Sequence, residues 1–461
     1  MPYSDDHHDT ICAIATSQGE AGIGIVRVSG PRARKIVGQL YRGRKKWDEI
    51  ISHTACLGEV VDPLDGTLID EALFLPMFAP NSYTGEDVVE IQAHGNPFLL
   101  EKIVAALLSQ GARLAMPGEF TRRAFLSGRM DLTQAEAVME VIAAKSDTQH
   151  QWSLSQLKGR LSQEVSALKE RLVTIIAEIE AAIDFSDQEL PFSSHDKIIK
   201  RIQCVTNSVR SMLAQYETGR QMREGFAVVI VGRPNVGKSS LMNAFLQEDR
   251  AIVTPVAGTT RDLLQEPINL EGLSVKLVDT AGYRETSHPI EQEGVRRAET
   301  ARRNADLTLW MLDASEALTP EDRALSRQLC LEKTVVLLNK VDLPVKIDEA
   351  WISKLALNHQ HLRISIKSGE GLEHLRHELK TLLLGKPEKE QPLVALLRHK
   401  KALSAAEKSL VSAVAAIKEG VSWEFPVVDL REALDAFGQI TGETALDDIL
   451  DQIFNQFCIG K

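Results

Sequence analysis

The sequence predicts a multidomain chain: an α+β domain, then an all-α helical bundle that is interrupted by an inserted α/β domain. Three observations carry this. Residues 1–117 alternate short β-like runs with helical stretches, the mixture that gives α+β architecture. From Gly118 to Leu190 proline is absent, and apolar residues recur every three or four positions, the period of an amphipathic helix. At Phe226–Val231 an apolar run of strand length leads into Gly-Arg-Pro-Asn-Val-Gly-Lys-Ser, residues Gly232–Ser239, the spacing of a phosphate loop between a strand and a helix.

In chain order, the first domain has β-like runs at Ile11–Ala15, Gly24–Ser29, Ala55–Val61, Ala72–Leu75 and Val88–Gln92, with helices expected over Arg32–Leu40 and Pro97–Gln110. Gly19–Gly24 bears glycines but no phosphate-loop lysine, and reads as a turn between strands. Arg27, Glu90 and His94 stand among apolar neighbours. Charges in that setting either pair across a strand face or form a ligand clamp, and the residues alone leave both open. Arg42, Arg44, Lys45 and Lys46 make the densest basic run, which by itself reads as a solvated loop and is not assigned to RNA.

The proline-free stretch carries Leu154, Leu157, Leu161, Val165, Leu168, Leu172, Ile175, Ile176, Ile179 and Ile183 at helical spacing. This predicts one long amphipathic helix whose role is core packing in a bundle. A second helix is expected over His195–Thr218. The inserted domain begins near Gln221 and ends at the polar linker Lys386-Pro-Glu-Lys-Glu. Helical periodicity resumes over Pro392–Glu419, and Asp429–Phe437 and Ala445–Phe457 read as two more helices. The expected domains are 1–117, 118–220, 221–385 and 386–461. The second and fourth are two parts of one helical domain, with the ends of the insertion close together.

Within the inserted domain the residue types supply the parts of a nucleotide site. Backbone N–H groups of Asn235, Val236, Gly237, Lys238, Ser239 and Ser240 curl round a polyphosphate, Lys238 reaches its terminal phosphates, and the Ser239 hydroxyl suits magnesium. Gly258-Thr259-Thr260-Arg261-Asp262 is a switch element that offers a threonine, assigned as Thr260, as second magnesium ligand, and Thr254, Pro255, Val256 and Ala257 just before it are assigned to the same nucleotide site. Asp279-Thr280-Ala281-Gly282 follows the apolar run Val275–Val278, setting a carboxylate near the metal and a glycine N–H near the last phosphate. Asn339-Lys340-Val341-Asp342 ends the run Thr334–Leu338, and the Asp342 carboxylate accepts from guanine N1–H and N2–H, a donor pair that adenine lacks. Ser365-Ile366-Lys367 at the next strand end offers a backbone N–H to guanine O6. Together these predict a GTP-binding domain of the translation-factor-like class, a P-loop GTPase domain.

The position after the Asp-x-x-Gly stretch, where Ras-like proteins orient water with glutamine, is Tyr283. Another group must do that work, and Glu291 in the polar segment Arg284–Gly294 is the candidate. Asn235, inside the phosphate loop, offers an amide oxygen to a monovalent cation.

Composition bounds the rest. At 461 residues the chain has room for about three domains. With 44% hydrophobic and 25% charged residues it reads as globular. No run of about eighteen apolar residues spans a bilayer, and Met1–Thr10 is acidic and histidine-bearing, unlike a signal peptide, so the protein is expected in the cytosol. Cys12, Cys56, Cys204, Cys330 and Cys458 form no C-x-x-C pair, which points to neither a disulfide framework nor a zinc site. A net charge of −11 and a pI near 5.7 exclude a surface coated in basic residues, so any RNA contact is local.

These motifs, with Asn235, Thr254-Pro-Val-Ala-Gly-Thr-Thr-Arg-Asp and an ending Cys458-Ile459-Gly460-Lys461, resemble the MnmE (TrmE) family of tRNA-modification GTPases over nearly the whole chain. The resemblance implies a helical domain with the inserted GTPase. It implies potassium at the place where other systems use an arginine finger, held by Asn235, carbonyls near Thr254 and Val256, and the Thr259 region. Glu291 would orient the attacking water through a second water. The first domain is similar to folate-binding aminomethyltransferase domains and would hold a 5-formyl- or methylene-tetrahydrofolate. Arg27, Glu90, Arg129 and Lys461 match the folate positions, Arg129 standing where relatives often carry lysine. Cys458 is implicated in the modification reaction. The family resemblance further implies a homodimer that forms a heterotetramer with an FAD-containing, MnmG-like subunit and adds an aminomethyl or carboxymethylaminomethyl group to C5 of the wobble uridine of tRNA. The alternative is a ribosome-assembly GTPase acting as an RNP-docking switch, which would need neither the first domain nor the Cys-Ile-Gly-Lys ending.

Overall fold

The computed structural model describes residues 9–184, 194–248, 267–279, 305–353, 361–384 and 394–461. Two compact units emerge, one from Met1–Met139, Ser162–Val173 and Arg431–Lys461, the other from Glu140–Leu161 and Thr174–Leu430. Among the described residues no helix is long and apolar enough to cross a membrane.

The first unit holds a seven-stranded sheet of β1 (Ile11–Ile14), β2 (Ala21–Ser29), β3 (Tyr41–Arg42), β4 (Cys56–Val61), β5 (Leu68–Met77), β6 (Val88–Gly95) and β7 (Arg113–Leu114), in the order β3-β4-β5-β6-β2-β1-β7. Strand alternation sorts its faces. Val26, Val28, Val89 and Ile91 point to a core shared with α1 (Ala33–Leu40) and α2 (Pro97–Ser109), which contribute Ile36, Val37, Ile103 and Leu107. Arg27 and Glu90, paired in register on neighbouring strands, therefore face the other way. Asn96 caps α2 by accepting from the backbone of Phe98 and Leu99, and Pro97 occupies its first turn. Gly19–Gly24 is not a turn throughout: β2 already starts at Ala21, with its register to β6 shifting between Ala21 and Gly24. That irregularity absorbs the glycines that suggested a loop.

Four helices follow, α3 (Glu119–Leu126), α4 (Leu132–Ala143), α5 (Asp147–Leu157) and α6 (Arg160–Asp184). The single long helix expected from Leu154 onward is divided, because Leu154 and Leu157 end α5 and Gly159, at φ 81, takes the left-handed conformation that closes a helix. The helix expected over His195–Thr218 is likewise divided at Gln215 into α7 (His195–Ala214) and α8 (Tyr216–Glu224).

In the second unit α8 leads into a six-stranded sheet of β8 (Phe226–Val231), β9 (Pro267–Leu270), β10 (Leu273–Asp279), β11 (Leu307–Asp313), β12 (Thr334–Asn339) and β13 (Leu362–Arg363), ordered β13-β12-β11-β8-β10-β9. All pairings are parallel except β9 with β10. β11 and β12 are buried throughout, as strands covered on both faces must be. One face packs on Leu241 and Phe245 of α9 (Lys238–Glu248) and on Leu375 and Leu379 of α12 (Leu372–Leu384). The other packs around Trp310 and meets Leu325 of α10 (Pro320–Ser326) and Trp351 of α11 (Glu349–Ser353).

The chain returns at Val394 and continues as α13 (Leu397–Glu419), α14 (Glu424–Thr441) and α15 (Asp447–Phe454). Gly219 of α8 lies against this return: a Cβ there would stand 2.1 Å from the Val394 carbonyl. Entry and exit of the insertion thus touch. α14 is longer at both ends than the expected Asp429–Phe437, and α13 begins only at Leu397.

Candidate functional site

In the second unit the sequence-expected loops gather at the carboxyl ends of parallel strands, the place where open α/β sheets bind ligands. The loop after β8 is shaped by backbone no side chain would permit at its two glycines. Gly232 has φ 152 and a Cβ there would stand 2.4 Å from the Met311 carbonyl, while Gly237 has φ 110 and a Cβ there would stand 2.4 Å from Asn339 Nδ2. Asn235 adopts φ 64, a left-handed conformation its short amide tolerates. Lys238, only 6% exposed, donates from Nζ to the carbonyls of Gly232 (2.7 Å) and Arg233 (2.6 Å). Its charge is thereby held inside the curl of the loop, at the start of α9, which fits a polyphosphate. Ser239 and Ser240 are exposed on the first turn of that helix.

Asn339, 3% exposed at the end of β12, ties three loops together. Its Nδ2 donates to the Val236 carbonyl at 2.8 Å and its Oδ1 accepts the Ile366 N–H at 3.3 Å. Asp342 accepts from Ser365 Oγ at 2.7 Å, which orients an otherwise exposed carboxylate. Ser365 N–H is committed to the Glu370 carbonyl at 2.9 Å, so the groups left to turn toward a base are the loosely held Ile366 N–H and that of Lys367. Lys340, at φ 67, reaches Asp313 Oδ2 at 2.6 Å. Asp313 is 5% exposed, and its other oxygen accepts from Ser315 N (2.9 Å) and Oγ (2.7 Å). Burial alone would push its carboxyl up, but the bonds from Lys340 and Ser315 outweigh it and hold Asp313 below the usual carboxylate range. Arg233 pairs with Asp322 (3.0 Å) and Glu316 (3.1 Å), and Asp322 also closes the capping box of α10 with Thr319.

The sequence singled out neither Asp313 nor Asp322. A lone aspartate at a strand end or helix start carries no motif, although Asp322 stands three residues after a threonine that precedes a proline, the capping-box spacing. Thr254, Pro255, Val256, Ala257, Gly258, Thr259, Thr260, Thr280, Ala281, Gly282 and Glu291 lie outside the described residues. Of Asp279 the structure gives the backbone, paired with Ile230 across β8 and β10.

In the first unit a second cluster forms on the sheet face opposite α1 and α2. Arg27 donates to Glu90 Oε1 from Nε (3.0 Å) and Nη2 (2.9 Å), and from Nη1 to the Gly460 carbonyl (3.1 Å). Its guanidinium lies 5.5 Å from the Tyr83 ring and 5.6 Å from that of Phe120. Tyr83 is fixed by a bond between its hydroxyl and Thr121 Oγ1 at 2.9 Å. The chain end is seated by Phe454 and Phe457, buried beside Leu132 and Ala135 of α4. Gly460, at φ 94, is pressed so closely that a Cβ would stand 2.3 Å from the Ile14 carbonyl. Burial, and next the charge of Arg27, lower the Lys461 ammonium from its ordinary value, with Glu90 and Cys458 opposing.

Arg27, Glu90 and Lys461 are therefore brought together. Cys458 is exposed beside them, its carbonyl accepting from Gly118 N (3.5 Å) and Lys461 N (3.3 Å). Arg129 is exposed just beyond α3, its Cγ near Gly85. His94, grouped with Arg27 and Glu90 by sequence, is elsewhere: it pairs with Asp70 at 2.9 Å. The four-residue shift along β6 carries it away from Glu90. Tyr83 and Phe120 carried no sequence signal, because a lone aromatic names no partner, and Gly460 was read only as part of the Cys-Ile-Gly-Lys ending.

Comparison with known proteins identifies the family. Residues 132–458 match the family described as the MnmE helical domain, and residues 10–129 the GTP-binding protein TrmE N-terminus. The tRNA modification GTPase MnmE of Alkaliphilus metalliredigens is 44% identical over 457 residues, covering 98% of this chain and 99% of the relative. That of Heliobacterium modesticaldum is 45% identical over 463 residues, with the same coverage. Among solved structures, Aquifex aeolicus Era bound to GDP·AlF4− is 31% identical with a TM-score of 0.27, over 40% of this chain and 65% of that one. With two family matches that together span most of its length and relatives similar from end to end, the chain belongs to the MnmE family of tRNA modification GTPases.

Proposed function

We propose that this protein is a GTP hydrolase, acting on an acid anhydride bond, that works in the modification of the tRNA wobble uridine. The observation that carries the nucleotide half is the Asn339 tie, which holds the phosphate loop, the Asn-Lys-x-Asp loop and the Ser-Ile-Lys loop in one bonded unit. Such a preformed set of donors is what phosphoryl transfer asks of a protein, since its catalysis is positioning and charge stabilisation. Lys238 binds the terminal phosphates, Asp342 reads guanine, and Glu291 orients the attacking water. Ser239 and Thr260 would hold magnesium, and Asn235, Thr254, Val256 and Thr259 potassium, both supplying positive charge to the phosphates.

The modification half rests on the second cluster. Arg27 is paired with Glu90 beside the Tyr83 and Phe120 rings, and Lys461 lies near enough to feel both charges. A few charged anchors beside apolar ring faces suit a flat heterocycle with an anionic tail, as a tetrahydrofolate is. Arg129 would contact the same ligand, which supplies the one-carbon unit when bound. Cys458 stands at the rim of this cluster, and a part in the reaction is proposed for it. The partner set is a homodimer with an FAD-containing, MnmG-like subunit in a heterotetramer, acting on tRNA in the cytoplasm. The TrmE-type N-terminal match and the seated chain end favour this over an RNP-docking switch, which uses neither.

Nucleotide titration tests the site. Asp342→Asn should weaken GTP and admit xanthosine nucleotide, whose altered edge suits an amide. Lys238→Ala should abolish tight binding. Unchanged GTP affinity in either variant would show that these loops do not hold the nucleotide.

A further inference from the structure

We propose that the acid-free segment from Pro31 to Trp47, comprising α1 and the loop after it, is the surface on which this protein holds the phosphate backbone of RNA; it rests on the reading above in taking tRNA as that RNA. The run Arg42–Lys46 alone reads as a solvated loop. Three features of the folded chain change that reading.

First, no aspartate or glutamate occurs between Glu20 and Asp48, and residues 31–50 hold seven cations against two carboxylates in a chain of net charge −11. Second, α1 and the basic loop form one surface. The Ala33, Ile36, Val37 and Leu40 side of α1 is buried, which turns Arg32 and Lys35 outward. The loop is fastened back onto the helix by Trp47 Nε1 donating to the Arg34 carbonyl at 2.6 Å and by Arg34 Nη2 donating to the Asp48 carbonyl at 3.0 Å. Third, five of the seven charges are uncommitted. Lys35, Arg42, Arg44, Lys45 and Lys46 are exposed, and none makes an ion pair or side-chain hydrogen bond among the described residues. Arg27, Arg113, Arg123, Arg223 and Arg233 are by contrast all paired.

A run of solvated, unpaired cations gains by releasing counterions from a polyanion and gives up no ion pair to do so. The negative charge of the remaining surface repels the same polyanion and so confines it to the strip. An anionic bilayer is the less suited occupant, because a basic membrane segment is anchored by an adjoining apolar face. Here the neighbouring aromatic, Trp47, is turned inward against Tyr41 (5.2 Å) and Phe74 (6.0 Å).

The test uses the full-length protein and a variant carrying Arg42→Gln, Arg44→Gln, Lys45→Gln and Lys46→Gln, titrated with fluorescently labelled tRNA transcript over a series of potassium chloride concentrations. The variant should bind about tenfold or more weakly, and the slope of log affinity against log salt should flatten by about 0.7 to 0.9 for each phosphate that the variant no longer neutralises. Basal GTP hydrolysis and the thermal melt should match the wild type. A variant with wild-type affinity and slope would overturn the proposal while leaving the tRNA reading intact. A wild type that hydrolyses GTP but binds no tRNA would overturn the tRNA reading itself, and the proposal with it. Binding to phosphatidylserine vesicles that is lost in the variant, beside unchanged tRNA affinity, would make the strip a membrane surface and refute the assignment.

Discussion

Asn339 is buried between two backbone groups of other loops, so its amide cannot be replaced by a carboxylate or a methyl without leaving a donor or acceptor unpaired. Asp313 works one step further out, through Lys340. The loop after β12 is anchored to β11 by this ion pair and by Ala314 N–H donating to the Asn339 carbonyl at 2.8 Å. Asp313→Asn should therefore weaken GTP binding by about tenfold, close to 1.4 kcal/mol, in line with a hydrogen bond to a charged group. Lys340→Met in the same background should add little, because the two side chains act as a pair. Additive losses in nucleotide titrations would show that Asp313 acts through some other contact. Glu291→Ala is expected to behave differently, leaving nucleotide affinity near wild type while the hydrolysis rate falls, the pattern of a group that acts in the transition state. Parallel loss of affinity would assign Glu291 to binding instead.

At the scale of elements, the chain end is held by position-specific backbone packing. Gly460→Ala should unseat it, since the left-handed backbone and the Ile14 carbonyl leave no room for a methyl. Folate affinity and tRNA modification should fall together while GTP hydrolysis survives. Phe454→Ala is the comparison, because emptying a fully buried ring site costs about 3 to 5 kcal/mol and should lower the melting temperature, whereas Gly460→Ala should barely move it. Helix α3 carries a second kind of anchorage. Asp9, Arg113, Glu119 and Arg123 form a joined set of ion pairs. Burial raises the carboxyls of Asp9 and Glu119, but bonds from Arg113 and the neighbouring arginine charges outweigh it, leaving both below their ordinary values of 3.8 and 4.5. A carboxylate with a depressed folded-state pKa stabilises fully above its unfolded value and less as pH falls through the folded one. Melting temperature should accordingly be flat above pH 4.5 for this set and fall below it. Glu119→Gln should make that acid limb shallower; an unchanged limb would remove the network from the cause.

For the whole molecule, the positions of the motif loops after β8 and β12 were legible because these motifs fix both residue type and spacing relative to a strand end, and β8 and β12 because a strand buried on both faces reads as unbroken apolar sequence. Division of the long helix at Gly159 was less visible: the apolar period runs straight through a residue whose backbone turns left-handed. The contact of Arg27 with Gly460 joins residues too far apart for any local pattern to report, and only family resemblance anticipated it. Asp313 was silent because its partner is defined by the fold. The central claim is that one chain couples a GTP site to uridine chemistry on tRNA. Its most direct test is mass spectrometry of wobble nucleosides from a strain lacking MnmE activity, complemented with this chain or with its Lys238→Ala variant. The wild-type chain should restore the aminomethyl or carboxymethylaminomethyl uridine and Lys238→Ala should not; an unmodified nucleoside with both, or full restoration by the variant, would contradict it.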